Sequence, residues 1–572
     1  SRGEGKWEEI RMPGLSGEWM QRCFSKNSGF IWLLFIFNYF TLGWSLLAAD
    51  DVWLFFAYAG ALFLAILLLT VGLQFLLRSH PIAFRRVRLG LLFFSLPPFL
   101  VELFVMHSYG ALIGAGIVNS ILDTNLKEAG EFIEMYVSWR EIVGLLSILL
   151  AAAAFWRFRL WQRFRIPERG QRVLLAAVIL LSVILAGSAI PQYGEFMLYK
   201  MLPWQRAGAA AATAVENMVA YRRLSAQMNT DVHITENRSQ IKNIVFILGE
   251  ATNRNHMHLY GYYLPTTPHL DELAQKGEIC VFRDVISPHS TTIAVLSKLF
   301  TFCDYESDQP WYEYHNLIDV MNAAGYKTFW LSNQESSGIW GNVAQIYANH
   351  SSWHKFTRIR DSYEDTGVLD ECLFPLLDEA RMRSGERNFY VLHLMGGHGL
   401  YYNRYPYAYH KFTGADIRLN VSEHFREVVA QYDNAIYYND YIVDHIINTF
   451  RNEEAIVIYV PDHSEAVYDE GSVVGHIEEN PNRHMIEIPV IVWGSEKFKE
   501  KYPEKWAALQ RAVDRPYMTD DMIHTILDIA DIYTDDYRPE KSLINPEFDA
   551  SRRRIFSGLD YDTEIRDDRR EE

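Results

Sequence analysis

The sequence predicts an α-helical transmembrane bundle of five spans followed by an α/β domain, and three observations carry that prediction. Residues 1–190 are far more apolar than the remainder, although the mean hydropathy of the whole chain is only −0.09. Runs within this region approach the ~20 apolar residues needed to cross a bilayer. Beyond residue 240, short runs rich in Val, Ile, Leu and Phe alternate with amphipathic stretches. That rhythm belongs to a mainly parallel sheet covered by helices on both faces.

The candidate spans are Phe30–Ala48, Trp53–Leu77, Leu89–Met106, Ile142–Trp156 and Val173–Ile190; the third carries Glu102 and the fourth is short. The connections 78–88 and 157–172 are rich in Arg, whereas Asp50, Asp51 and the acidic stretch 123–134 lie on the alternate loops. Basic loops stay in the cytoplasm, so the amino terminus is expected inside and everything after Pro191 outside. The first run is too long for a signal peptide and has no small-residue cleavage site after it. The chain starts with Ser1, which is expected to reflect a truncation. Three regions follow: a membrane domain over 1–190, bridging helices over 191–240 with an Ala-rich stretch at 203–227, and an external domain over 241–572. With 54 Lys and Arg against 71 Asp and Glu, the net charge is −17, which argues against a nucleic-acid partner.

In the external region the runs "NIVFILGE" (243–250), "GYKTFWLSN" (325–333), "NFYVLHLMG" (388–396), "AIVIYV" (455–460) and "IPVIVWG" (488–494) read as strands. Continuous apolar runs of this kind fit strands buried on both faces of a parallel sheet. Sites in such folds collect at the carboxyl ends of the strands. Glu250 ends the first of these runs, and Asp462 and His463 follow the run at 455–460. Two carboxylates and an imidazole make a metal-ligand set. Between them lies "SPHSTTIAVLSKLFTF" (287–302), a hydroxyl-rich loop running into a helical pattern. A metal lowers the pKa of a nearby hydroxyl, and a helix start offers N–H groups to a phosphate. Ser290, Thr291 and Thr292 are all open as the nucleophile, and simple helix capping is the competing explanation for the cluster. His393 lies within a strand run and is expected to be structural.

The strings "GEATNRNHMHLYGYYLPTTPHLD" (249–271), the threonine loop, "HLMGGHGLYYNRYP" (393–406) and "DHSE" (462–465), in this order behind five spans, resemble the membrane-bound phosphoethanolamine transferases of the alkaline phosphatase and sulfatase superfamily. The resemblance implies a Zn2+ held by Glu250, Thr292, Asp462 and His463, with Thr292 as nucleophile. It implies substrate contacts from His398, from His476 (with His484 as a rival) and from Asn333. It also places Thr124 and Glu128 at the bilayer surface, where a carboxylate suits an ethanolammonium ion; Ser120 stands where the family often has Asn. Relatives usually read Ser-Asp-His-Gly-Glu where this chain has Pro461 and Ser464 flanking the pair.

What the resemblance implies for activity is transfer of phosphoethanolamine from phosphatidylethanolamine, through a phospho-threonine, to an envelope glycolipid, either lipopolysaccharide core or lipid A. A monomer in the bacterial inner membrane, with its catalytic domain periplasmic, is expected. The chain has only Cys23, Cys280, Cys303 and Cys372, so one disulfide at most, Cys280 with Cys303, is expected. The sparse cysteines resemble the branch that decorates core oligosaccharide. The alternative is a phosphoglycerol transferase of the lipoteichoic acid synthase type, which uses Mn2+. A sulfatase would need Cys or Ser in a C/S-x-P-x-R context, and the loop has none. Aromatic-rich loops at 335–356 and 403–420 are expected to face the acceptor.

Overall fold

The computed structural model describes residues 17–48, 52–114, 117–118, 139–158, 180, 201–226, 231–335, 343–358, 369–471 and 473–566. They form two compact units, one drawn from residues 1–113 and 137–210, the other from 114–136 and 211–572.

In the first unit, helices α1 (Gly17–Ala48), α2 (Val52–Leu76), α3 (Pro81–Tyr109) and α4 (Trp139–Arg157) follow one another. The first three contain apolar segments of membrane-spanning length: Lys26–Ala48, Val52–Leu76 and Pro81–Ser108. The apolar part of α4, Ile142–Arg157, is shorter than a span. The fifth expected span, Val173–Ile190, lies outside the described residues apart from Leu180, so three of the five expected spans are present as such. Outward-facing Phe93, Phe94 and Leu76 suit lipid contact. Glu102 on α3, the one acid in its run, is fully buried and receives both the Arg206 guanidinium and the Thr41 hydroxyl. A buried charge in such a bundle survives only when paired in this way. The bridging region contains helix α5 (Pro203–Ala226).

The second unit is built on strands β1 (Asn243–Gly249), β2 (Ile279–Phe282), β3 (Lys327–Glu335), β4 (Trp353–Arg358), β5 (Asn388–His393), β6 (Ala455–Pro461) and β7 (Val490–Gly494). They join in the order β2-β7-β6-β1-β5-β3-β4. The ladders from β6 through β4 are parallel, and β7 is antiparallel to both its neighbours. Alternate residues of β1 enter separate cores: Ile244, Phe246 and Leu248 on one face, Val245 and Ile247 on the other. Burial on both faces is the reason these strands read as unbroken apolar runs. Each such side chain contributes about 1.5–3 kcal/mol.

Sequence patterning misses two strands of this sheet. β2 has only four residues, and β4 begins inside the stretch 335–356 expected to be an acceptor loop. That stretch contains the helix Val343–His350 and the start of β4, while residues 336–342 lie outside the described set. Cys280 and Cys303, the pair open to bridging, are free buried thiols. Cys280 sits in the sheet core on β2, where burial pushes its thiol up to about 12, while Cys303 lies beside Lys298 and Asp304.

Candidate metal centre and nucleophile

Register creates the site. β1 and β6 run parallel with Gly249 opposite Pro461, so the next residues, Glu250 and Asp462, emerge side by side at the carboxyl edge. Both side chains are buried, as is His463. Ala251 then turns the chain sharply with a left-handed backbone (φ 48°), a conformation costing a non-glycine residue about 1–2 kcal/mol. Its N–H donates to Asp462 Oδ1 at 3.2 Å, and its carbonyl accepts from the Tyr432 hydroxyl at 2.8 Å. These bonds hold the strained turn in place.

Donor atoms of Glu250, Asp462 and His463 all lie within 4.8 Å of one another. His463 Nε2 stands 3.3 Å from Glu250 Oε1 and 3.5 Å from Asp462 Oδ2. Its Nδ1 lies 2.8 Å from the Ser464 carbonyl. A carbonyl can only accept, so Nδ1 carries a proton and Nε2 is the nitrogen turned into the cluster. Glu250 Oε1 and Asp462 Oδ2 are buried without hydrogen-bond partners. Burial and the charge of Asp462 push the Glu250 carboxyl up to about 8. Burial alone would lower His463, but Asp462 and Glu250 outweigh it and raise the imidazole to about 10. Protons thus occupy a place suited to a cation, and two orphaned carboxylate oxygens with an inward-facing imidazole nitrogen fit a zinc-like ion.

Of the three candidate hydroxyls, Thr292 is the one that reaches these groups. It is the first residue of helix α6 (Thr292–Leu299), and its Oγ1 lies 3.2 Å from Glu250 Oε2 and 3.5 Å from His463 Nε2. Thr291 takes the N-cap position without making a side-chain cap bond, which removes the capping explanation. Ser290 Oγ faces Glu478.

The loop after β5 comes next to this cluster. Gly397 N–H donates to the Glu250 carbonyl at 2.9 Å. Gly396 is left-handed (φ +46°), and a Cβ there would sit 2.5 Å from that carbonyl, so only glycine permits the approach. His398 follows on this loop, and Arg404 Nε donates to its carbonyl at 2.8 Å. Asn333 supports the loop indirectly. Its amide donates to Asp370, whose carboxylate accepts from the N–H groups of Met395 and Gly396. Asn333 Oδ1 also accepts from Thr357. His393 meets Ser332 at 3.3 Å, and burial drives its imidazole down to about 4, so it stays neutral.

His476 lies against His463, the rings tilted at 46° with centroids 4.2 Å apart, whereas His484 faces Asp469 and Glu470. His476 Nδ1 donates to Glu465 Oε2 at 2.6 Å, and Tyr401 donates to the other oxygen at 2.6 Å. Donor atoms of His463, Glu465 and His476 form a second group of metal-binding dimensions. Sequence reading overlooked Glu465 as a site residue. Its position two after His463 in "DHSE" was the available signal. Thr124 and Glu128 lie outside the described residues.

A hydroxyl at a helix start, facing a carboxylate-rich cation pocket at a sheet edge, defines a phospho- or sulfo-transfer enzyme of the alkaline phosphatase and sulfatase class. Consistent with this, the Sulfatase family model matches residues 242–532, and the model described as phosphoethanolamine transferase EptA/EptB matches residues 59–200. Phosphoethanolamine transferase EptC of Escherichia coli K12 is 29% identical over 497 residues, covering 80% of this chain and 82% of the relative. Kdo(2)-lipid A phosphoethanolamine 7''-transferase of the same organism is 24% identical over 451 residues, covering 73% and 78%. The crystal structure of the C-terminal periplasmic domain of E. coli EptC, in complex with Zn, is 30% identical with a TM-score of 0.55, covering 59% of this chain and 97% of that one. The chain belongs to the membrane-bound phosphoethanolamine transferases of the sulfatase and alkaline phosphatase superfamily.

Proposed function

We propose that the protein transfers phosphoethanolamine from phosphatidylethanolamine to an envelope glycolipid, lipid A or lipopolysaccharide core, on the periplasmic side of the bacterial inner membrane. The observation that carries this reading is the Thr292 hydroxyl within 3.2 Å of Glu250 and 3.5 Å of His463, in a chain related to named phosphoethanolamine transferases along most of its length. Glu250, Asp462, His463 and Thr292 would hold the ion, and zinc is the choice supported by the Zn complex of the EptC domain. When bound, zinc supplies Lewis-acid stabilisation of phosphoryl charge and a lowered hydroxyl pKa.

The residues then divide the work. Thr292 Oγ1 attacks phosphorus as its proton moves toward Glu250 Oε2, forming the phosphoethanolamine ester. The bond to the diacylglycerol oxygen breaks, and that oxygen takes up a proton and leaves as diacylglycerol. With Nδ1 bonded to Glu465, His476 presents Nε2 to protonate this oxygen and afterwards to take the proton of the acceptor hydroxyl. The acceptor oxygen displaces Thr292, regenerating the free hydroxyl. The buried walls around Glu250 and Asp462 exclude water that would otherwise hydrolyse the ester. Mass spectrometry of envelope glycolipids from cells with the wild-type protein should show a phosphoethanolamine gain on lipid A or core sugar. Thr292→Ala should lower transfer by about 1,000-fold or more. No gain on any glycolipid would refute the reading.

A further inference from the structure

Outside the cluster, the segment that follows His476 carries two adjacent carboxylates aimed at different parts of the soluble unit. Glu478 Oε1 accepts the Ser290 N–H at 2.6 Å, two residues before Thr292. Its Oε2 meets His289 Nδ1 at 3.3 Å and the Ser557 hydroxyl at 2.5 Å. Ser557 caps the hairpin formed by Ile555–Phe556 and Leu559–Asp560, and Phe556 lies with its ring centroid 6.3 Å from that of His289. One carboxylate therefore fastens the nucleophile loop to a hairpin that lies beyond residue 532, where the sulfatase match ends.

Glu479 faces the other way. Its Oε1 accepts the N–H of Ile117 at 3.4 Å, in the segment following α3. A Cβ at Gly114 would overlap the Glu479 side chain, so the backbone there must come close. Gly114 and Ile117 belong to the soluble unit although they follow a membrane helix in sequence. Adjacent residues thus bond to the loop that presents Thr292 and to Ile117.

Resting on the transferase reading above, we propose that Glu478 and Glu479 are paired positioning residues: Glu478 sets the nucleophile loop, and Glu479 seats Gly114 and Ile117, which follow α3, for docking of the lipid donor. Displacing a nucleophile by about 1 Å costs on the order of 100-fold in rate, which is what loss of the Ser290 bond threatens. Loss of the Ile117 bond leaves Thr292 in place and loosens donor docking instead. The two variants therefore differ in which kinetic constant moves.

The test uses full-length protein in detergent micelles carrying phosphatidylethanolamine at graded mole fractions, with diacylglycerol release as the readout. Glu478→Ala should lower kcat by about tenfold or more while KM stays within about twofold. Glu478→Gln, which keeps an oxygen for the Ser290 N–H, should recover to within about threefold of wild type. Glu479→Ala should raise KM about fivefold and leave kcat within about twofold. Metal content and thermal transition should match wild type throughout. If Glu478→Ala does not fold, Glu478→Asp carries the test, because it keeps the charge but withdraws it from Ser290. Wild-type kinetics in the Glu478 or Glu479 variants, or losses that only track folded fraction or metal content, overturn the proposal. A wild-type protein that releases no diacylglycerol sinks the transferase reading itself, and the proposal with it.

Discussion

His256 offers a strong test of how the hairpin between His463 and His476, Ala466–Val467 paired with Val474–Gly475, is held. Its Nδ1 lies 2.7 Å from Asp433 on helix α7 (Glu423–Phe450), and its Nε2 lies 2.9 Å from Asp469 in the turn between Glu465 and His476. The imidazole is 1% exposed and Asp433 fully buried. Burial opposes charge on the ring, but Asp469 and Asp433 outweigh it and raise the pKa to about 10. Asp469 moves the opposite way, held well below the usual carboxylate range by His256 and His484 against its burial. Asp433 rises despite its bond because burial dominates there, so the ionised partner is chiefly Asp469. A rise from 6.5 to about 10 corresponds to roughly 5 kcal/mol at 1.36 kcal/mol per unit. Breaking one side of a buried pair costs about 3–5 kcal/mol, and we take that range for His256→Gln.

The sign follows from the raised value. A histidine raised in the folded state contributes fully below its unfolded pKa of 6.5 and loses that contribution as pH rises through about 10. In a unit well above ~250 residues, 1 kcal/mol moves Tm by only about 1–1.5 °C. Thermal unfolding of the full chain in detergent should therefore show His256→Gln about 4–6 °C lower at pH 6, with the gap narrowing toward pH 10. A shift below about 2 °C, or a gap that does not change with pH, would refute the clasp.

Two further outcomes follow from the same geometry. Gly396→Ala should weaken metal binding by about 10–100-fold, measured by competition with a chelating dye, because its Cβ would sit 2.5 Å from the Glu250 carbonyl; unchanged affinity would show that the loop yields freely. Metal binding should also release protons near neutral pH, since Glu250 holds one up to about 8 and His463 one up to about 10, and both must be lost for these groups to act as ligands. Affinity should then fall as pH drops below about 10, and calorimetry in buffers of different ionisation enthalpy should detect the release; a pH-independent affinity would contradict the raised carboxyl and imidazole.

The sheet was legible wherever strands are buried on both faces, because unbroken apolar runs leave few alternatives. β1, β3, β5, β6 and β7 all begin within two residues of the expected runs. β4 was hidden because "WHKFTR", at the edge of the sheet, sets four polar residues around two aromatics and offers no apolar run. Glu250, Asp462 and His463 could be found because strand ends collect ligands. Separating Thr292 from Ser290 and Thr291 needed either the family resemblance or coordinates, since all three hydroxyls sit within one turn. Glu465 and Glu478 act from turns, where no periodicity announces which way a side chain points. Their roles depend on partners far away in sequence.

The unusual Pro461 and Ser464 around the ligand pair can be explained by the same register. Asp462 N–H donates to the Gly249 carbonyl at 3.1 Å, toward β1. Backbone N–H groups alternate sides along a strand, so the position Pro461 leaves without a donor faces β7. On that side the ladder's last registered pair is Ile491 with Tyr459. The proline therefore removes a bond that the sheet no longer makes, and it stands where a strand end tolerates it. Ser464 adds a bond that glycine could not: its hydroxyl donates to the His484 carbonyl at 2.6 Å, beside its own N–H to the Met485 carbonyl at 3.2 Å. Both substitutions thus fix the turn carrying Asp462 and His463 without touching their metal-facing atoms. Such a turn presents a preformed ligand set, and a preformed set lowers the ordering cost of capturing an ion.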